Sequence, residues 1–156
     1  AEKIDIVIHP QSIIHSMVAF KDGAVLAQMG HPDMKGAIAY ALSYPERLDM
    51  ELPVLDFSAI GALTFEPPDV SRFPCLSLAY RACETGGTLP CVLNASNEAA
   101  VSAFLNNRIS FTRIPEIIDH VMTRHTVVYH PGLDDILAAD EWARVVANEW
   151  ILHDIN

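Results

Sequence analysis

Apolar and polar positions follow two different periods along this chain, and the change of period divides it. Ile4-Asp5-Ile6-Val7-Ile8 is rich in β-branched residues and predicts a strand over 4–9. His9-Pro10-Gln11-Ser12 interrupts it. The apolar runs Ser16–Phe20 and Ala24–Met29 then flank Lys21-Asp22-Gly23. An Asp-Gly pair in that setting predicts a hairpin. Gly30-His31-Pro32-Asp33 ends the second strand, and Asp33 is placed to cap a helix over 34–44 that Tyr44-Pro45 stops. Residues 45–70 carry four prolines and no sustained period. Leu52, Val54, Leu55, Phe57, Leu63 and Phe65 are too apolar for a free linker. A connecting arm packed on another surface is expected there, with Leu63-Thr64-Phe65 as a short strand.

From residue 71 the period is helical. Ser71 is placed to cap a helix with Pro74 in its first turn, ending at Gly86-Gly87. A second helix is expected over 90–107, with Val92, Leu93, Ala99, Ala100, Ala103, Phe104 and Leu105 on its apolar side. A third follows from a Thr112 cap to about 125, with Pro115 and Glu116 in its first turn. His130-Pro131-Gly132 turns into a fourth over 133–152, where Leu133, Ile136, Leu137, Ala143, Val146, Ala147 and Trp150 make one apolar stripe. The pattern predicts an α+β chain: part of a sheet, then a bundle of about four helices. Its expected divisions are 1–44, 45–70 and 71–156.

Composition narrows the function classes. Of 156 residues, 51% are hydrophobic and 19% charged, enough apolar material for a core. Twenty acidic against ten basic residues give a net charge of −10, which disfavours nucleic acid and anionic membrane surfaces as partners. No apolar run approaches the roughly 18 residues of a membrane helix, and no basic stretch leads into an apolar leader. Cys75, Cys83 and Cys91 form no CxxC pair, so free buried thiols in a reducing compartment are expected. The opening Ala1-Glu2-Lys3 runs directly into an apolar strand. That is expected of a fragment, the alternative being a processed mature chain.

Seven histidines raise the question of a metal, yet there is no HExxH and no His pair four apart beside a carboxylate. His120, His125, His130 and His153 read as surface or capping residues. His9 and His15 differ, because they bracket Gln11-Ser12 where a strand gives way to a polar turn. Such strand ends are where ligand-contacting groups gather. The plainer alternative is that His9 caps the strand and Ser12 makes a local backbone bond. Gly30-His31-Pro32-Asp33-Met34 is a second candidate: a stiff loop followed by a soft thioether suited to a flat ring, or a helix-capping turn with Met34 in the core. Asp134-Asp135 and Asp140-Glu141 read as helix-dipole and polar-face residues. Asn94-Ala95-Ser96-Asn97-Glu98 reads as helix-to-helix hydrogen bonding within the bundle. No GxGxxG or P-loop pattern is present to cradle a pyrophosphate.

His9-Pro10-Gln11-Ser12-Ile13-Ile14-His15-Ser16-Met17-Val18 closely resembles a motif of the 1-deoxy-D-xylulose 5-phosphate reductoisomerase family. The resemblance continues through Asp22-Gly23, Leu26-Ala27-Gln28, Pro32-Asp33-Met34, Leu55-Asp56-Phe57, Leu63-Thr64-Phe65 with Pro68-Asp69, Phe73-Pro74-Cys75-Leu76 and Leu93–Glu98. It implies that 1–44 end a catalytic domain and contribute a hairpin to a partial mixed sheet, that 45–70 are a linker, and that 71–156 are a C-terminal helical domain. The activity it implies is NADPH-dependent conversion of 1-deoxy-D-xylulose 5-phosphate to 2-C-methyl-D-erythritol 4-phosphate, in non-mevalonate isoprenoid synthesis. It implies Mg²⁺ or Mn²⁺ as the metal and a homodimer formed through the sheet. The compartment it implies is the bacterial cytoplasm rather than a plastid.

The family's Rossmann domain, metal carboxylates and phosphate-binding residues match no part of this chain. By resemblance, Ser12 and His15 are substrate-binding, while Pro32 and Met34 lie near the nicotinamide. Neither a catalytic residue, nor a metal ligand, nor a bound cofactor is expected in this chain, and alone it is expected to be inactive. The departures are local: Lys35-Gly36-Ala37-Ile38 replaces the family's usual Arg and Thr-Pro-Ile, and His31 stands where Glu is common. The competing expectation is a stand-alone helical interaction module without catalysis.

Overall fold

The computed structural model describes residues 2–153, which form a two-stranded antiparallel sheet and six helices. The α+β expectation holds. Two compact units are present: Asp5–Pro68, and Asp69 onward together with the first four residues.

In the first unit, β1 (Ile14–Ala19) pairs with β2 (Val25–Met29). The Asp-Gly turn forms as its chemistry predicts. Gly23 takes φ +87°, the Asp22 carboxylate accepts from the Ala24 amide at 3.0 Å, and Phe20 N–H donates to Ala24 O at 2.8 Å. The helix α1 (Met34–Ser43) begins where Asp33 accepts from the Lys35 amide at 2.8 Å and ends before Tyr44-Pro45. The predicted strand over 4–9 does not form. Among the described residues its only ladder contact is an antiparallel bridge between Ile8 and Glu66, with both backbone bonds at 2.9 Å. The expected short strand at 63–65 does not form either, the bridge falling on the next residue, Glu66. β-rich composition makes a strand only where a neighbour supplies a ladder. A helix the sequence pattern did not suggest, α2 (Phe57–Ile60), lies within 45–70, where Asp56 accepts from the amides of Ser58 and Ala59.

In the second unit, α3 (Cys75–Thr85), α4 (Leu89–Leu105), α5 (Arg113–Arg124) and α6 (Leu133–His153) form the bundle, with α4 packed against all three others. Val92, Ala95, Ala100 and Ala103 of α4 meet Ile117, Ile118 and Val121 of α5 and the small residues Ala139, Ala143 and Ala147 of α6. The α6 residues recur every four positions, so alanine lets the backbones approach closely. The predicted α6 stripe holds at Ala143 and Ala147, which are buried, but Leu133, Ile136 and Leu137 are exposed, and Ala139 and Ile151 complete the buried face.

Two predicted caps are corrected. Ser71 is not the cap of α3, and Thr112 takes the expected N-cap position of α5 but makes no side-chain capping bond. Asp69 organises the turn before α3 by accepting from the amides of Ser71 and Arg72 and from the Ser71 hydroxyl. Thr112 instead pairs with the Ser110 hydroxyl. Gly86 ends α3 at φ +69°. Gly87 has φ +57°, and a Cβ there would sit 2.5 Å from Val128 O, so only glycine fits the crossing.

Cys75 and Cys83 are exposed and Cys91 is half-buried, which corrects the expectation of buried thiols; all three are free. Within Asn94–Glu98, the bonds of Asn94 and Ser96 stay inside α4, and the link between helices is the Glu98–Arg144 ion pair at 2.7 Å. Among the described residues no helix is long and apolar enough to cross a membrane.

Candidate functional site

Three local features aim side chains into one cleft of the first unit. Ser12 adopts φ +54°, the left-handed region that non-glycine residues seldom occupy. Its amide donates to His9 O at 3.0 Å and closes the His9-Pro10-Gln11-Ser12 turn. The ladder then slips by one residue: Ile14 pairs with Met29 but Ser16 pairs with Gln28, leaving His15 unmatched. An extra residue of this kind re-aims its side chain. Finally, Gly30 N–H donates to Ile13 O at 3.0 Å, which turns the chain from β2 into the His31-Pro32-Asp33 loop.

The resulting cleft holds about 760 Å³. Ser12, His15, Pro32 and Met34 all line it, so the four sequence-selected positions share one concavity. Ser12 and His15 offer a hydroxyl and an imidazole, both exposed. Pro32 stiffens the loop, and Met34 is 70% exposed at the start of α1. Asp33 also lines the cleft, but its carboxylate is committed to the helix cap.

Sequence reasoning missed Gln28, Tyr40 and Arg47, which line the same cleft. The Arg47 guanidinium lies 4.4 Å over the Tyr40 ring, which keeps a cation beside the cleft in a chain of net charge −10. The available signals were the resemblance of Leu26-Ala27-Gln28 for Gln28 and, for Tyr40 and Arg47, only their place after the Gly30–Met34 loop.

A smaller concavity of about 400 Å³ in the helical unit is lined by Asp119, His120 and Trp150 among others. His120 stacks on Trp150 at 4.4 Å, and Asp119 is paired with Arg81 at 2.8 Å. Elsewhere in the helical unit, His125 bonds Thr88 at 2.7 Å, His130 is exposed in the turn before α6, and His153 is exposed in the last turn of α6. Among the described residues no three His, Cys, Asp or Glu side chains come close enough to hold a metal ion.

Fold and cleft define an α+β chain in which a hairpin unit with a polar, ligand-sized cleft is followed by a helical bundle. Over residues 29–146 the chain matches the model of the DXP reductoisomerase C-terminal domain. It is 58% identical over 144 residues to 1-deoxy-D-xylulose 5-phosphate reductoisomerase of Desulfosudis oleivorans, covering 92% of this chain and 38% of that one. Its fold matches the Zymomonas mobilis reductoisomerase in complex with NADPH with a TM-score of 0.87 and 42% identity, covering 96% of this chain and 40% of that one. A further reductoisomerase structure, in complex with NADPH, fosmidomycin and magnesium, matches with a TM-score of 0.81 and 40% identity over 94% of this chain and 38% of that chain. The chain belongs to the DXP reductoisomerase C-terminal domain family. It spans about 38% of the length of the curated relative.

Proposed function

We propose that this chain is the C-terminal part of an NADPH-dependent reductoisomerase that converts 1-deoxy-D-xylulose 5-phosphate to 2-C-methyl-D-erythritol 4-phosphate. The observation that supports it most is the convergence of Ser12, His15, Pro32 and Met34 on one cleft, within a chain 58% identical to a reductoisomerase. Ser12 and His15 bind substrate hydroxyls. A neutral His15 can both accept and donate a hydrogen bond, and the Ser12 hydroxyl does likewise. Pro32 and Met34 face the nicotinamide and keep water from the reacting carbon. When bound, NADPH supplies the hydride.

The residues described here do not fit a divalent metal, because they bring no three ligating groups together. In this reading the magnesium named with a relative is held by other parts of the longer protein, and these 156 residues are inactive alone. The longer protein acts as a homodimer in the bacterial cytoplasm. The exposed hairpin residues Met17, Val18, Val25 and Leu26 supply apolar surface for such pairing.

The test is NADPH oxidation driven by 1-deoxy-D-xylulose 5-phosphate with Mn²⁺, in this chain and in one extended at its N-terminus through its natural reading frame. Turnover is expected only in the extended chain, weakened there by Ser12→Ala and by His15→Ala. Turnover in neither chain defeats the assignment, and turnover in the short chain defeats its claim about the metal.

A further inference from the structure

Ser12 occupies a backbone conformation that its own neighbours do not enforce. The single local bond of the turn runs from the Ser12 amide to His9 O, and φ +54° is unfavourable for a residue with a Cβ. A strained residue persists where surrounding contacts over-determine it. Those contacts come from more than fifty residues further along the chain.

Thr64 spends every polar atom on the turn. Its hydroxyl accepts from Gln11 Nε2 at 2.9 Å and lies 3.2 Å from Gln11 Oε1, its amide donates to Gln11 Oε1 at 3.3 Å, and its carbonyl accepts from His9 Nδ1 at 2.9 Å. On one side the His9 ring stacks on Phe65 with centroids 5.0 Å apart and planes 20° from parallel. On the other, Ile8 and Glu66 exchange two backbone bonds of 2.9 Å. The turn is thus gripped through backbone, amide and ring at once.

His9 adds a second indication. With Nδ1–H donating to Thr64, Nε2 is an acceptor, and it is enclosed with no hydrogen-bond partner among the described residues. A purely apolar ring would stack on Phe65 without leaving a buried acceptor unsatisfied. What only histidine provides here is the directional bond to the Thr64 carbonyl, which fixes where the turn begins.

We propose that Thr64, acting through Gln11 and His9, is a positioning residue that holds the turn so that Ser12 presents its hydroxyl to substrate. Residues 63–66 then belong to the site, although they make no part of the cleft wall. The inference rests on the proposed role of Ser12 and adds to it the element that makes that role possible.

Two variants separate the hydroxyl from the shape: Thr64→Val keeps the branched form and removes the bond, and Thr64→Ser keeps the bond. In the extended, active chain, Thr64→Val is expected to raise KM for 1-deoxy-D-xylulose 5-phosphate about fivefold to tenfold with kcat little changed, and Thr64→Ser to restore it. The double variant Ser12→Ala/Thr64→Val is expected to bind substrate no worse than Ser12→Ala alone, because Thr64 acts through Ser12. An unchanged KM in Thr64→Val, or additive losses in the double variant, overturns the proposal. Independently of activity, amide hydrogen exchange at Ser12 in the 156-residue chain is expected to quicken severalfold in Thr64→Val while the amides of β1 and β2 keep their rates. Unchanged exchange at Ser12 overturns the clamp whatever the kinetics show. A Ser12→Ala variant with wild-type KM defeats the functional reading of Ser12 instead, even where the turn loosens.

Discussion

The two units use apolar residues in opposite ways. Every fully buried side chain among the described residues lies between Leu78 and Ile151, in the helical unit. The unit Asp5–Pro68 buries none, although Met17, Val18, Phe20, Val25, Leu26, Ile38 and Leu42 are at least as hydrophobic as the bundle core. The bundle closes its four apolar stripes on one another, so it carries its own source of stability. The hairpin unit is held by turns, caps and hydrogen bonds between segments, and a two-stranded sheet is marginal alone in water. Its order is specified locally, while its apolar faces stay available to other surfaces. The candidate cleft sits in this less self-sufficient unit, which agrees with binding regions being drawn from the low-stability end of a structure.

The sharpest way to break this comparison is to empty the bundle core. Ile117→Ala removes a side chain that is 1% exposed and is expected to cost about 2–5 kcal/mol, read from the denaturant midpoint of helix unfolding. A loss below about 1 kcal/mol would mean the core is looser than its burial indicates.

Next in size is the polar pin of the bundle. Thr88 is 0% exposed, accepts from the Val128 amide at 3.1 Å and shares a 2.7 Å hydrogen bond with His125 Nε2. Thr88→Val leaves an amide and an imidazole without partners and is expected to cost about 1–3 kcal/mol. Burial beside Trp142 pushes His125 below its ordinary 6.5. The unfolded chain therefore takes up the proton first as pH drops. The His125 contribution is complete above pH 6.5 and is lost as pH falls from there through the depressed folded value. Unfolding midpoints of the bundle measured across that range should decline with acidity, and His125→Gln should flatten the decline. An equal decline in that variant would assign the effect to other groups.

A smaller effect tests the hairpin unit. Leu26 is 65% exposed, so Leu26→Ser is expected to change the stability of this chain by no more than about 0.5 kcal/mol. A core-sized loss would show that the β1–β2 surface is covered in solution. The smallest effect belongs to the bundle surface. Arg144 joins Glu98 and Asp140 at 2.7 Å, and it holds both carboxyls below their usual range. Glu98 is exposed and Arg144 and Asp140 are partly exposed, so at physiological salt Arg144→Met should change the melting temperature only slightly.

Much of the fold was legible because its signals are local. Asp22-Gly23, the Asp33 cap, the Tyr44-Pro45 stop and Gly86-Gly87 each act within about four residues, and each forms as read. The bundle's helices were legible from their period, and Ala143 and Ala147 of the expected α6 stripe are buried, but Ala139 and Ile151 rather than Leu133 and Leu137 complete the buried face, because small residues permit close helix contact. The strand over 4–9 failed for the complementary reason: composition favours extended backbone, but a ladder needs a partner, and Ile8 finds one only at Glu66. Ser12, His15, Pro32 and Met34 were singled out on residue type and resemblance, whereas Gln28 lies in a resembling stretch without being singled out, and Tyr40 and Arg47 carry no motif that marks them.

The sequence by itself determined the main turns, the five longer helices and the grouping of the candidate site residues near its start. Only the tertiary structure decided that His15 occupies a bulge, that Ser12 is held in a left-handed turn, and that the grip on that turn comes from Thr64 and Phe65. Caps and turns depend on atoms a few bonds apart, so short sequence windows contain them. A register slip or a clamp across more than fifty residues depends on which distant segments the whole fold brings into contact, and no short window contains that information.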